Sequence, residues 1–296
     1  VDVRRGAVKA VGGTLRWPDG FGDKTLSLPT VTRPAGKCAA GFMVGDDVDL
    51  IDLFIGSEGT LGVIVEAELK LVRTPSEVLA LMCFLPPASD ALALVKALKS
   101  SGDLSPLSIE YFSPTALQLL RDERAESGDD KVPEVPAEAG SAVFFEQAYE
   151  TDDQLDEYVA AIDEVLSAHG GSIDDTWAGQ EDAEREKMRL LRHGIPEAVN
   201  NRIARRKRDV PELHKVGTDL AVGDEAFDEL ANAYETEVPT SGLEYVVFGH
   251  VGENHLHVNL IPKSREELEK AKALHASLAR RAVALGGAVT AEHGIG

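Results

Sequence analysis

The sequence is poor in cysteine, in positive charge and in long apolar runs. Its two cysteines, Cys38 and Cys83, cannot build a disulfide scaffold or a cysteine-rich zinc module. No stretch approaches the roughly 18 apolar residues of a membrane-spanning helix, so no membrane span is expected. Lysine and arginine number 30 against 51 acidic residues, a net charge of −21. This balance argues against a nucleic-acid partner, because a phosphate backbone needs a positive surface.

The rest of the composition is that of a folded protein. The 296 residues are 43% hydrophobic and 27% charged, which is enough for one large domain or two modest ones. The chain starts at Val1 and stops in a string of glycine and histidine at Gly296. We interpret both ends as truncations.

The charge is distributed unevenly along the chain. Residues 122–186 are strongly acidic, and residues 187–215 are basic. The acidic stretch is typical of a solvated surface. The basic stretch, with four consecutive cationic residues at 205–208, is either a solvated helix end or loop, or the cationic wall of an anion pocket.

The order of apolar patterns predicts an α+β protein with helices on one face of a mostly antiparallel sheet. Residues 1–75 look rich in strand and glycine, with a strand at 63–72, and a domain boundary is placed at 73–75. From 76 to 296, strands and helices alternate. The predicted strands are 78–85, 106–112, 141–149, 214–222, 243–249 and 255–261. The predicted helices are 88–101, 113–122, 152–168, 179–206 with a kink near Pro196, 224–236 and 264–285.

A glycine-rich run, Gly-Ser-Glu-Gly-Thr-Leu-Gly, occupies residues 56–62. It has neither the dinucleotide-binding spacing nor the Lys-Ser/Thr of a P-loop. A strand is predicted after it, so a helix N-terminus cannot cradle a phosphate here. Three glycines still allow close backbone approach to a flat or phosphorylated ligand. The alternative is a tight turn that enters a strand.

Three of the eight histidines fall within residues 250–257. On a strand, His255, His257 and Asn259 share one face, and His250 can fold back toward that face. Two imidazoles and a carboxylate are typical of an open divalent-metal site, and Glu253 is close in sequence. The alternative is a set of structural histidines.

Two further groups of residues have the chemistry of a substrate site. Glu292 and His293 are followed by a glycine, so Glu292 could complete a metal site and His293 could move a proton. Arg192 on a helix and Lys215 at a strand start could hold a carboxylate. The alternatives are a polar loop for the first pair and surface salt bridges for the second.

Taken together, these motifs resemble a known family. Residues 49–64 resemble the end of the flavin-binding domain in the FAD-linked oxidases of the vanillyl-alcohol-oxidase superfamily. The strings GHVGENHLHVN and AEHGIG are similar to the C-terminal domain of its branch of D-lactate dehydrogenase, glycolate oxidase and D-2-hydroxyglutarate dehydrogenase. The resemblance implies that 1–75 is the C-terminal portion of a two-subdomain FAD-binding domain. It implies that 76–296 is an antiparallel-sheet substrate domain, whose last residues return to the flavin.

The resemblance also implies roles for individual residues. His250, His257 and Glu292 would bind a divalent metal, zinc or a similar ion. His293 would be the general base. The substrate's carboxylate and hydroxyl would be held by Arg192, Lys215 and Asn259. FAD would contact Gly56, Ser57, Gly59, Thr60, Gly62, Val63 and Ile64.

The implied activity is FAD-dependent oxidation of a D-2-hydroxy acid, such as D-lactate, glycolate or D-2-hydroxyglutarate, to the 2-oxo acid. The electron acceptor would be a quinone, a cytochrome, an electron-transfer flavoprotein or an iron–sulfur subunit. The protein would be cytoplasmic or bound at the inner face of a membrane. The alternatives are a non-redox flavoenzyme resembling alkyl-dihydroxyacetone-phosphate synthase, and a non-catalytic subunit of an oxidase complex.

This chain departs from the family pattern at several positions. The family usually has Gly-Asp-Gly-Asn-Leu-His where this chain has Gly-Glu-Asn-His-Leu-His at 252–257. The extra imidazole, His255, could therefore change the choice of metal. Pro196 lies where some relatives place a hydroxyl near the substrate, and Ala291 replaces a usual glycine. The upstream half of the flavin domain, with its phosphate-binding loop, is not in this sequence.

Overall fold

The computed structural model describes residues 2–18, 22–87, 90–128 and 131–294. The strands are β1 (Thr14–Pro18), β2 (Asp23–Ser27), β3 (Glu77–Leu85), β4 (Ser108–Phe112), β5 (Ser141–Tyr149), β6 (Thr176–Gly179), β7 (Val216–Gly217), β8 (Leu220–Ala221), β9 (Tyr245–Gly249) and β10 (His255–Leu260). The helices are α1 (Ala91–Ser100), α2 (Pro114–Ser127), α3 (Asp152–Ala168), α4 (Asp182–Arg206), α5 (Phe227–Thr240) and α6 (Arg265–Ala284).

Strands β3 to β10 form one antiparallel sheet in the described part of the chain. Its order is β6-β3-β5-β4-β9-β10-β7, and β8 pairs with β10 beside β7. The longest ladder joins β3 to β5 over nine residue pairs, from Glu77 opposite Tyr149 to Leu85 opposite Ser141. The α+β class and the antiparallel sheet that the sequence predicts are therefore confirmed.

The helices cover both faces of this sheet. Leu79, Leu81 and Cys83 of β3 pack into one core with α1, α3, α5 and α6, whereas Ala80 and Met82 pack into a second core with α2 and α4. The expectation of helices on one face is wrong. The physical reason is in β3 itself, because an apolar side chain at almost every position leaves neither face of the strand suited to water.

The helices begin where the sequence places capping residues. The side chains of Asp90, Ser113, Thr151 and Ser264 each accept a hydrogen bond from a first-turn N–H, at the starts of α1, α2, α3 and α6. Pro196 lies inside α4, which continues through it. Residues 88 and 89 of the predicted helix 88–101 lie outside the described residues. The predicted strand 214–222 is two short strands, β7 and β8, and β6 was not predicted.

The N-terminal region contains much less strand than the sequence predicts. Its described residues hold the hairpin β1–β2 and a small core of their own, built on Ala10, Leu15, Leu50 and Leu53. The predicted strand at 63–72 is wrong, because this segment has no strand pairing and most of it is solvent-exposed. Its β-branched residues favour an extended chain, but a strand also needs a hydrogen-bonding neighbour, and no described residue supplies one.

The arginines at the end of α4 pair with acidic residues. Arg205 donates two hydrogen bonds to the buried Glu123 of α2, and Arg206 pairs with Glu244 just before β9. The remaining cations of this run, Lys207 and Arg208, are exposed. Arg205 and Arg206 therefore attach the end of α4 to its neighbours, and residues 207–208 form an exposed helix end, as one of the two expectations has it. None of the described helices is both long and apolar enough to cross a bilayer.

Candidate metal and catalytic site

The histidines lie on the sheet face that α2 and α4 cover. Leu256 and Val258 of β10 belong to the opposite core, so the alternating residues His255, His257 and Asn259 project to this side, as the sequence pattern indicates. Two segments lie at the sheet edge beside β8, where Ala288 pairs with Ala221 and Gly36 approaches Val222. Residues 35–39 and 286–290 pair through Ala35 N–H to Gly286 C=O and Ala39 N–H to Thr290 C=O.

A tight reversal between β9 and β10 brings His250 back over the strand. Gly249 has φ of 129° and Asn254 has φ of 56°, and a short 3₁₀ turn, Val251–Glu253, separates them. The His250 ring centroid consequently lies 5.7 Å from that of His255 and 5.8 Å from that of His257. The predicted return of His250 toward the strand face is confirmed.

The three residues assigned to a metal by resemblance lie together. Ligand atoms of His250, His257 and Glu292 all lie within 4.8 Å of one another. The Nε2 of His250 is 3.4 Å from Oε1 of Glu292. The Nδ1 of His257 is 3.2 Å from the carbonyl oxygen of Thr218, a contact that fixes the ring and leaves Nε2 as the ligand atom.

Asp219 holds the loop that carries Glu292 and His293, and the sequence analysis did not identify it as a site residue. Its Oδ2 accepts hydrogen bonds from the Thr290 hydroxyl at 2.5 Å and from the N–H groups of Glu292 and His293 at 3.1 and 2.8 Å. Burial favours a higher pKa for Asp219, but these hydrogen bonds outweigh it and lower the pKa to about 2. Asp219 is therefore ionised at neutral pH.

Three buried polar atoms in this cluster have no hydrogen bond. They are Oδ1 of Asp219 and both ring nitrogens of His255. The Nε2 of His255 lies 2.8 Å from Oδ1 of Asp219, but their orientation does not make a hydrogen bond. Burial and the adjacent His257 lower the pKa of His255 to about 4, so the ring is neutral with a lone pair available. Oxygen and nitrogen atoms without hydrogen bonds, next to two imidazoles and a carboxylate, fit the ligand set of a divalent cation.

His293 lies beside the cluster and is open to solvent. Its ring stacks on that of His257, with centroids 5.3 Å apart and planes 3° apart. Its side chain is 63% exposed, while its backbone N–H is held by Asp219. A held backbone with an accessible ring is suited to proton transfer with a bound molecule.

Arg192 is connected to the histidines through a buried carboxylate that the sequence analysis missed. Its Nε and Nη2 both donate to Glu110 of β4, and its guanidinium lies over the Phe144 ring at 4.4 Å. Oε1 of Glu110 is also 3.4 Å from Nδ1 of His250. Burial favours a higher pKa for Glu110, and the contacts with His250 and Arg192 lower it overall. One indication of this site residue is present in the sequence, since a glutamate stands within the otherwise mostly apolar strand Ser108–Phe112.

The other predicted substrate contacts lie farther along β10, where β7 pairs with it. Asn259 is buried opposite Gly217 of β7, and a Cβ on Gly217 would lie only 3.0 Å from the Asn259 Oδ1. Lys215 is exposed immediately before β7. Lys37, which the sequence analysis also missed, contacts the carboxylates of both Glu253 and Glu292. These contacts place an ammonium group at the edge of the cluster.

The glycine-rich run at 56–62 lies next to the C-terminal motif. A Cβ on Gly294 would lie 2.6 Å from Oε1 of Glu58, so these two segments touch. Gly56 and Gly59 have φ of 73° and 76°, and a Cβ at either would meet nothing within 4 Å. This exposed backbone fits close approach of a flat cofactor. Ile295 and Gly296 lie outside the described residues.

The comparison with protein families identifies the chain. The family described as FAD linked oxidases, C-terminal domain, matches residues 74–296. The chain belongs to this family.

Three curated relatives of this FAD-linked oxidase domain share similar levels of sequence identity with it. A mitochondrial D-lactate dehydrogenase [cytochrome] of Kluyveromyces lactis is 28% identical, and the alignment covers 91% of this chain and 43% of the relative. The glycolate oxidase subunit GlcD of Bacillus subtilis is 26% identical over 92% of this chain and 53% of the relative. A D-2-hydroxyglutarate dehydrogenase of Stutzerimonas stutzeri is 27% identical, with 100% and 60% covered. The chain thus spans about half the length of these relatives.

The FAD-linked oxidase domain also has a weak match among solved structures. An alkyldihydroxyacetonephosphate synthase aligns with a TM-score of 0.48 at 16% identity, covering 94% of this chain and 48% of the other. At that TM-score the match does not discriminate between branches of the family.

Gly249 offers a test of the histidine geometry in this FAD-linked oxidase domain. A Cβ there would lie 2.8 Å from Cδ2 of His257, and a φ of 129° is unfavourable for any side chain. We expect Gly249→Ala to displace His257, to lower metal affinity at least tenfold and to destabilise the fold by roughly 1–3 kcal/mol. Calorimetric metal titration and denaturant unfolding measure both effects. Gly242→Ala, at a positive φ with open space around it, is the control and should leave metal affinity unchanged.

We expect the stability of the domain to depend on the ionisation of Asp219 at acid pH. A folded-state pKa of about 2 lies below the unfolded value of about 3.9. The stabilisation is therefore present above about pH 4 and is lost as the pH falls toward 2. Asp219→Asn should be less stable than wild type at pH 7, and the difference should shrink between pH 4 and pH 2. Urea unfolding at each pH measures this, and a difference that does not change with pH would contradict the assignment.

Proposed function

We propose that this chain is part of a flavoenzyme that oxidises a small D-2-hydroxy acid to its 2-oxo acid. The observation that carries the proposal is the cluster of His250, His257 and Glu292 with the accessible ring of His293 beside it, next to the open glycine backbone at 56–62. Relatives named for D-lactate, glycolate and D-2-hydroxyglutarate support the substrate class.

Two bound groups would supply chemistry that protein side chains lack. FAD, held against the backbone of 56–64, supplies a two-electron acceptor when bound. A divalent cation held by His250, His257 and Glu292 supplies Lewis acidity that favours loss of the substrate's hydroxyl proton when bound.

In this proposal, residues of β10, of α4 and just before β7 hold and orient the substrate. The exposed ammonium group of Lys215 pairs with the substrate carboxylate, and the amide of Asn259 hydrogen-bonds its hydroxyl or carboxylate. Arg192 is paired with Glu110 and, through this carboxylate, fixes the orientation of the His250 ring. These contacts hold the reacting carbon in one orientation, which lowers the entropic part of the barrier.

His293 is the general base of the proposed reaction. Its ring accepts the proton of the substrate hydroxyl. FAD, when bound, would supply the acceptor for the hydride on the carbon that bears this hydroxyl, and loss of both hydrogens converts the 2-hydroxy acid to the 2-oxo acid. The carboxylate of Asp219, 3.7 Å from the Nδ1 of His293, carries charge opposite to that of the imidazolium that results. The backbone hydrogen bond from His293 to Asp219 keeps the ring in place during the transfer.

Steady-state turnover with a dye as electron acceptor tests this function. The protein, expressed from the complete reading frame and loaded with FAD, is assayed with D-lactate, L-lactate, glycolate and D-2-hydroxyglutarate. We expect reduction of the dye with at least one of the acids, and with D-lactate in preference to L-lactate. Absence of turnover with all four, in protein that holds flavin, would contradict the proposal and favour a non-redox flavoenzyme.

A further inference from the structure

We propose that His255 is a fourth protein ligand of the divalent cation, with Asp219 as the carboxylate that orients its ring. This inference rests on the metal site proposed above and extends it from two imidazoles to three. It concerns a residue of this chain that replaces the usual asparagine of the family pattern.

The first argument is the position of the free nitrogen of His255. Its Nδ1 lies 3.7 Å from Oε1 of Glu292, and Nε2 of His250 lies 3.4 Å from the same oxygen. Around a tetrahedral ion with bonds of about 2.0–2.1 Å, neighbouring ligand atoms are about 3.3 Å apart. Both distances to the Glu292 oxygen are within about 0.4 Å of this separation. His255 groups within 4.8 Å with Asp219 and His257, while His250, His257 and Glu292 form a second group. His257 is common to both groups, so the side chains must close around the ion for His255 to join the second.

The second argument is the contact on the other side of the ring. The Nε2 of His255 is 2.8 Å from Oδ1 of Asp219, which is within hydrogen-bonding distance although the present orientation does not make the bond. Metal-bound histidines almost always donate their second N–H to a carboxylate, a carbonyl or water in this way. Three donors already hold Oδ2 of Asp219, so its Oδ1 remains for His255.

The third argument is the cost of the alternative. The His255 side chain is fully buried, and a purely structural role with Asp219 would leave Nδ1 buried without a partner. Buried polar atoms are rarely left unpaired, because desolvation without a hydrogen bond is unfavourable. Coordination removes this penalty, and it gives Nδ1 the same function as the neighbouring nitrogens of His250 and His257.

Nuclear magnetic resonance counts the imidazole ligands directly. The probe is ¹¹³Cd²⁺ bound to the full protein labelled with ¹⁵N-histidine, in which each coordinating ring nitrogen shows a ¹¹³Cd–¹⁵N coupling. We expect three coupled histidines in wild type and two in His255→Asn. Two coupled histidines in wild type would overturn the role of His255 and leave the metal site standing. No coupling at all would overturn the metal site itself, and the inference with it.

Calorimetric titration with Cd²⁺ gives a second readout that does not depend on activity. His255→Asn should weaken Cd²⁺ binding at least tenfold, because one of the four ligands is removed. His214→Asn, at an exposed position before β7, is the control and should bind as wild type does. Equal affinity in wild type and His255→Asn would contradict the inference. If His255→Asn does not fold, the number of coupled histidines in wild type still shows whether His255 is a ligand.

Discussion

Replacing His293 by glutamine should lower kcat by a factor of about 10²–10⁴, the usual contribution of a general base. Glutamine keeps a polar side chain, and its backbone N–H can still donate a hydrogen bond to Asp219. It cannot take a proton from the substrate. Because His293 is outside the set of His250, His257 and Glu292, metal affinity should change little. Turnover of the best hydroxy acid and a metal titration on the same protein separate the two effects.

The comparison for this variant is His214→Gln, which changes an exposed histidine away from the cluster. It should retain wild-type turnover. Normal turnover in His293→Gln would show that another group accepts the proton. Loss of metal together with turnover would show that His293 acts as a ligand, which the cluster of Asp219, Glu292 and His293 also permits on distance.

Replacing Glu292 by glutamine should weaken metal binding more than about 100-fold, beyond the 10–100-fold typical of outer-shell changes. A neutral amide oxygen is a much poorer partner for a divalent cation than a carboxylate. Turnover should fall with metal occupancy and recover in part at high metal concentration. Turnover measured against added metal gives both quantities.

Glu253→Gln is the matched control for Glu292→Gln. Both carboxylates pair with Lys37, but the side chain of Glu253 is 59% exposed, against 29% for Glu292. Only Glu292 belongs to the histidine cluster. We expect Glu253→Gln to keep metal affinity within a few-fold of wild type. An equal loss in the two variants would mean that the charge around Lys37, rather than coordination by Glu292, governs metal binding.

The sequence pattern predicted those features of the site that arise within one short segment of the chain. The alternation along His255, His257 and Asn259 places these side chains on one face because strand geometry has a period of two. Gly249 marks the turn that returns His250 to that face. Ser113 and Ser264, which the sequence analysis placed inside predicted helices, instead cap α2 and α6 by accepting hydrogen bonds from unpaired N–H groups.

The contacts that depend on topology could not be predicted in this way. Asp219 meets the Glu292 loop across more than seventy residues, and Glu110 meets Arg192 across 82. No spacing in the sequence indicates these pairs, because they follow from strand order and from the packing of α4 on β4. The segment 63–72 shows the opposite case, in which a clear strand pattern forms no strand because no described residue pairs with it.

Anaerobic reduction of the bound flavin tests the central claim most directly. The flavin-loaded protein from the complete reading frame is mixed with D-lactate or L-lactate, then with glycolate and D-2-hydroxyglutarate, and absorbance is followed near about 450 nm, where oxidised flavins absorb. We predict bleaching by at least one of these acids, and by D-lactate rather than L-lactate, with the rate greatly lowered in His293→Gln. A flavin that stays oxidised with every acid would contradict the account, and so would equal bleaching by the two lactate isomers.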